Sequence, residues 1–286
     1  MAIDAEKLLS WRFADLEHSY GIRDTMLYAL GTGAGGDPLD AGELPFVYED
    51  GLKVLPSMAV VLGYPGFWLK EQNTGVDWTR VLLGEQGMVL HRPLPVCGTV
   101  IGRTRVTGLV DRGAGKGALL FSTREVIEKT SGARLATLTS TTVLRGDGGF
   151  GGPSGPVPTP SRMPARACDA SLDLTTVPQA GLIYRLSGDY NPLHADPKVA
   201  AAAGFARPIL HGLCTYAVAC RALLKLACGG EPARLTAMSA RFSAPVFPGE
   251  TIRTEIWRDG GEVSFRCFAV ERAIKVLNHG RARVTA

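Results

Sequence analysis

Residues 213–226 read LCTYAVACRALLKL, and this stretch decides the fold. Taken as a helix it is apolar on nearly every side, interrupted only by Arg221 and Lys225, and a helix without a polar face has to be enclosed. It is too short and too charged to cross a bilayer, so protein must supply the enclosure. Downstream, residues 251–257, 262–271 and 275–285 alternate apolar with polar side chains and are rich in β-branched residues, the pattern of antiparallel strands. One long apolar helix followed by a meander of strands predicts an α+β arrangement in which a sheet wraps the helix.

The same order of events occurs upstream, where residues 99–110, 118–128 and 134–144 read as strands. Between the two sets lies RGDGGFGGPSGPVPTPSRMP, residues 145–164, dense in Gly and Pro and read as a linker. This predicts two modules, 1–144 and 165–286. YALGTGAGGDPLD from Tyr28 aligns with YRLSGDYNPLHAD from Tyr184, so that residues 37–40 fall on 191–194 and residues 56–58 on 211–213. RPLPVCGTVIG from Arg92 likewise resembles SAPVFPGETIR from Ser243. The repeat predicts an apolar helix in each half. Where the second half has His194 and His211, the first has no histidine.

With 286 residues, 45% of them hydrophobic, the chain can bury a sizeable core. Its formal charge of +4 is spread along the sequence, which predicts no nucleic-acid partner and leaves room for a small anionic ligand. The six cysteines form no CxxC pair and mostly have apolar neighbours, predicting free thiols in a reducing, cytoplasmic compartment and no metal. The start, MAIDAEKLLSWRF, lacks a signal-peptide core, and no segment predicts a membrane span. Gly31 to Gly36 fits GxGxxG, but Pro38 and Pro45 preclude the helix that a dinucleotide site requires. A plain loop is the better reading.

The chemistry concentrates in SGDYNPLHAD, residues 187–196. Pro192 prevents a continuous helix, so Asp189 and His194 sit in an irregular turn that can aim both side chains at one point. Asp196 before Pro197 is a good N-cap and first helical residue for KVAAAAG, fixing the far end of the turn. Taken alone, Asx-turn hydrogen bonds and a packed histidine explain the string equally well. A second cluster, RPILHGL at residues 207–213, favours function: Gly212 at the mouth of the apolar helix offers an unobstructed N–H and the positive end of the helix dipole. His211 reads as a hydrogen-bonded core residue. No nucleophile elbow and no HxxxH or HExxH spacing is present, so the groups on offer are an acid-base pair and a carbonyl-polarising amide.

YRLSGDYNPLHAD followed by GFARPILHGLCTYA and ARFSAPVFPGETI resembles the (R)-specific enoyl-CoA hydratase 2 group of the MaoC-like dehydratases. YALGTGA, LPFVYE, LLGEQGMVLHRPLP and GGFGG resemble that group's first half. The resemblance implies a double hot-dog, two antiparallel sheets each wrapped around a long central helix and lying edge to edge. It implies hydration of a trans-2-enoyl-CoA thioester to the (3R)-3-hydroxyacyl-CoA with no cofactor, by a homodimer. Asp189 and His194 would be the catalytic pair and the Gly212 amide the oxyanion donor. Asn191 would support the site, while Phe242, Leu83, Gly84 and Arg112 would contact acyl-CoA. The departures from the family pattern fall at Leu83 and Arg112, where relatives can carry His and Lys. Two other activities fit the same groups: a hot-dog thioesterase, and a non-catalytic acyl-CoA binding subunit.

Overall fold

The computed structural model describes residues 3–71 and 74–285. Among them are ten strands: β1 (Leu16–Tyr20), β2 (Val81–Leu90), β3 (Gly98–Asp111), β4 (Ala118–Glu128), β5 (Arg134–Leu144), β6 (Ala170–Thr175), β7 (Leu235–Phe242), β8 (Thr251–Asp259), β9 (Glu262–Ala269) and β10 (Ile274–Val284). All the pairings are antiparallel, in the order β1-β3-β4-β5-β2-β7-β10-β9-β8-β6. Each half therefore runs first, third, fourth, fifth, second, and the two second strands meet. The six strands read from alternation are present, within a few residues of their expected ends. The four that escaped notice include β2 and β7, the pair that fuses the halves.

The two sheets expected to lie edge to edge do so, joining into one continuous ten-stranded sheet. Its seam is the β2–β7 ladder, with Gly87 opposite Ser239 and Glu85 opposite Arg241; the latter two form an ion pair, Arg241 Nε to Glu85 Oε1 at 2.7 Å. The rim of each half offered an open edge, and joining the two removes both.

The described α-helices are α1 (Ala5–Leu9), α2 (Ile22–Gly31), α3 (Trp68–Glu71), α4 (Ala180–Tyr184), α5 (Pro197–Ala202) and α6 (Gly212–Ala227). As expected, α6 is the enclosed one: every residue from Cys214 to Leu224 is buried, against β6, β7 and β8. Its two charges are matched by the first half. Arg221, 5% exposed, donates through Nη1 to the Thr32 carbonyl at 2.6 Å and pairs with buried Glu43. Lys225 pairs with Asp40. The glycine-rich stretch from Gly31 is the turn that presents these partners, and Gly35 N–H donates to the Glu43 carboxylate at 2.9 Å.

The first half departs from expectation at its centre. Where the repeat predicts a second long helix, Pro56–Val60 forms a single 3₁₀ turn. Val60 and Val61 are poor helix residues, and Gly63, at φ 59°, and Pro65 stop propagation. The chain then continues as a loop through Tyr64 to Phe67. The main apolar core runs through both halves, and a smaller cluster around Leu8, Leu69, Leu120 and Leu144 lies in the first. The Gly/Pro-rich segment lies extended along the surface, held where the Asp111 carboxylate accepts from Gly149 and Gly151 N–H at 2.7 and 2.8 Å.

Candidate active site

The turn carrying the acid and the histidine is built by local rules. Helix α4 ends in a 3₁₀ turn, Arg185–Ser187, closed by Gly188 at φ 114°, a left-handed conformation that glycine adopts without penalty. The chain then reverses through Asp189, whose carboxylate accepts from Asn191 N–H at 3.2 Å. Asn191 in turn caps the short 3₁₀ helix Pro192–His194, its side-chain oxygen accepting from Leu193 N–H at 3.1 Å. Asp196 caps α5 as expected, with Pro197 in the first helical position. Three caps in succession leave the backbone between Asp189 and His194 little freedom.

His194 is fixed by one hydrogen bond. Its Nδ1 lies 2.9 Å from the Ile209 carbonyl; a carbonyl only accepts, so Nδ1 carries the proton and Nε2 keeps its lone pair. Burial holds the imidazole below its usual 6.5, against the opposing pull of the Asp189 carboxylate, so the ring is a neutral base at pH 7. His211, expected to be a plain core residue, is buried and also part of the site. Its ring stacks on His194 with centroids 3.8 Å apart, and its Nε2 donates to the Asp189 backbone carbonyl at 3.1 Å. It therefore fixes the acid's backbone and the base's ring plane together. Desolvation and the neighbouring His194 keep its pKa far below 6.5.

One donor atom each from Asp189, His194 and His211 falls within 4.8 Å of the others, close enough to ask about a metal. In each ring one nitrogen is already committed to the backbone, His194 Nδ1 to the Ile209 carbonyl and His211 Nε2 to the Asp189 carbonyl.

At Gly212 the helix α6 begins, and the first amides of a helix have no partner within it. A Cβ on Gly212 would stand 3.2 Å from the Phe242 ring, so any larger residue would need that ring to give by a few tenths of an ångström. The N–H thus lies at the positive end of a buried 16-residue helix.

These groups open on one cavity of about 380 Å³. Asp189, Asn191, His194, Gly212 and Phe242 line it from the second half, and Leu83, Val60, Tyr64 and Trp68 from the first. The space occupied by α6 in one half is open in the other, because the 3₁₀ turn and the loop after it do not fill the concave face of β2 to β5. Of the expected contacts, Gly84 sits beside this wall in a bulge of β2 against β5 and does not line the cavity. Arg112 is exposed in the turn between β3 and β4, outside the cavity. A residue that the strand reading passed over, Arg124, lines it. Its signal was legible: within β4 it shares the inward parity of Leu120 and Val126, where a charge is out of place.

Comparison with known proteins points the same way. Residues 160–279 match the MaoC like domain, and residues 18–146 match the MFE-2 hydratase 2 N-terminal domain. The chain is 45% identical over 250 residues to 3-hydroxyacyl-thioester dehydratase Y of Mycobacterium tuberculosis, covering 85% of this chain and 84% of that protein. It is 38% identical to the peroxisomal enoyl-CoA hydratase 2 of Arabidopsis thaliana, covering 96% and 93%. The crystal structure of a MaoC-like dehydratase from Phytophthora capsici superposes with a TM-score of 0.86 at 34% identity, covering 99% of this chain and 98% of that one. The chain belongs to the MaoC-like dehydratase family, with a hydratase 2 N-terminal half joined to a MaoC-like C-terminal half.

Proposed function

We propose that this protein hydrates trans-2-enoyl-CoA thioesters, reversibly, to (3R)-3-hydroxyacyl-CoA. The observation that carries the reading is the convergence of Asp189, His194 and the α6 N-terminus on one cavity that continues into the first half. The thioester carbonyl faces Gly212 N–H, which stabilises the enolate-like charge as C3 becomes electrophilic. Water is held between the Asp189 carboxylate and His194 Nε2. Its oxygen bonds to C3 while one of its protons passes to the pair, and the pair returns a proton to C2. Asn191 acts by capping the turn, and His211 by fixing the ring of His194 and the backbone of Asp189.

The division of labour follows the two modules: 165–286 supplies the chemistry, 1–144 the acyl and CoA contacts, and 145–164 connects them. Leu83 and Phe242 contact the acyl chain, the Gly84 bulge shapes that wall, and Arg112 meets a CoA phosphate outside the cavity. Six unpaired thiols, including exposed Cys97, fit a reducing cytoplasm. No described helix is long and apolar enough to cross a membrane. A homodimer is expected, and sedimentation at micromolar concentration tests it.

The deciding assay follows the enoyl absorbance and free thiol together. Hydration consumes the first without releasing the second, thiol release marks a thioesterase, and tight binding without turnover marks a carrier. Chiral analysis must then return the (3R) epimer; predominant (3S) product refutes the assigned face.

A further inference from the structure

Arg124 is 9% exposed on the inner face of β4, and it lines the same cavity as Asp189 and His194. Its Nη2 donates to the Val60 carbonyl at 2.5 Å, capping the 3₁₀ turn, and its guanidinium lies 5.3 Å from the centroid of the Tyr64 ring. Nε has no hydrogen-bond partner, and no carboxylate pairs with Arg124 among the described residues. The other buried arginine, Arg221, is matched by Glu43. Taking a charge out of water without a counterion is strongly unfavourable, so an unmatched guanidinium facing a cavity calls for a partner that arrives with the ligand.

The surroundings support this. Thr104 stands opposite Arg124 on β3; Ser122, two residues back, shares a hydrogen bond of 2.7 Å with Ser140 of β5; and Gln86 of β2 stands opposite Ser140. All of these line the cavity, placing hydroxyl and amide groups on a sheet face that elsewhere carries Val100, Val126, Leu138 and Met88. From β7, whose Phe242 touches the Gly212 position, to β4 the sheet order counts three ladder spacings, roughly 14 Å. The polar group is thus set well away from the reacting carbons, along the path an acyl chain would take.

We propose that Arg124, with Thr104 and Ser122, accepts a carboxylate at the far end of the acyl chain, so that the preferred substrates are 2-enoyl-CoA thioesters with an acidic chain end. This rests on the hydratase reading for the reaction, but not for the binding. The test compares trans-2-enoyl-CoAs of graded length that end in a carboxylate, in its methyl ester, or in a plain methyl group. At the length that reaches Arg124, wild-type kcat/KM for the acid should exceed that for the ester by about tenfold or more, the worth of a charge-assisted hydrogen bond. Arg124→Met should bring the acid-to-ester ratio to about one, and Arg124→Lys should restore part of it. A merely structural arginine would lower all substrates together. Absence of an acid preference at every length in the wild type, or a preference that persists in Arg124→Met, overturns the proposal. If Arg124→Met fails to fold, the wild-type acid-to-ester ratio still decides. If no substrate is hydrated, the hydratase reading is what fails, and calorimetric titration of the acid and ester thioesters into wild-type protein decides the anion site separately.

Discussion

The two halves of this protein share one strand order and differ most in the element that packs on the concave face. In the second, sixteen residues of helix fill the concave face of the sheet. In the first, a five-residue 3₁₀ turn does, and the difference is left as cavity. The half with the helix carries the helix N-terminus at Gly212 and the capped turn of Asp189 and His194. The half with the short turn carries the sheet wall of the same cavity. On the reading proposed above, these are a reacting end and a binding end within a single sheet.

The comparison breaks most directly at the acid-base turn. Asp189→Asn or His194→Gln should lower turnover by roughly 10²- to 10⁴-fold with the folded state retained, read as kcat alongside a thermal melt. Near-wild-type turnover in either would remove that residue from the chemistry.

Next in size is the contact between the halves. Glu43→Gln leaves Arg221 without its carboxylate at a site where both side chains are about 95% buried, which should cost about 3–5 kcal/mol in denaturant-measured stability and leave turnover per folded molecule unchanged. The aligned position Asp40 is the control: its ion pair with Lys225 is about a third exposed, so Asp40→Ala should cost no more than about 1 kcal/mol and leave turnover intact. A dead Asp40→Ala variant would mean that the first half carries chemistry after all.

Gly212→Ala probes the helix start. The added Cβ meets the Phe242 ring at 3.2 Å, and the resulting shift of the amide should lower kcat by an amount approaching the roughly 10²-fold of a lost oxyanion donor. Adding Phe242→Leu, which makes room for the Cβ, should recover part of the loss. No recovery would show that contact with the Phe242 ring is not what lowers kcat.

The smallest expected effect is on pH. A neutral His194 is required as base and burial lowers its pKa, so kcat/KM should stay flat from neutrality to below pH 6.5 before it falls. Asp189 pulls that pKa upward, so the residual activity of Asp189→Asn should lose its acid limb at still lower pH. Stability follows the same sign. The folded pKa of His211 is lowered, so below pH 6.5 the unfolded chain binds a proton that the fold refuses, and stability declines as pH falls. His211→Gln should flatten that decline in a melt series across pH 7 to 4.

Much of this was legible in the sequence, for identifiable reasons. The enclosed helix was readable because an all-apolar surface permits no other environment, and six strands because period-two alternation survives wherever one face is buried and the other is wet. The turn of Asp189 and His194 was readable because caps and prolines act over three or four residues. Strands β2 and β7 were missed because the alternation in each is short: Leu82, Leu83 and Gly84 break it in β2, and MSAR at 238–241 carries only two periods of it in β7. The repeat suggested a second long helix, but the local signals of Val60, Gly63 and Pro65 outweighed it.

By itself, then, the sequence determined the enclosed helix, the repeated meander and the chemical character of the turn, each set by interactions between residues near in the chain. Only the tertiary structure decided that β2 and β7 form the seam, that His211 stacks on His194, that Gly212 lies against the Phe242 ring, and that Arg124 faces the cavity with no paired carboxylate among the described residues. Those depend on which atoms meet across 17 to 156 residues of chain, where packing and desolvation, not local propensity, set the outcome.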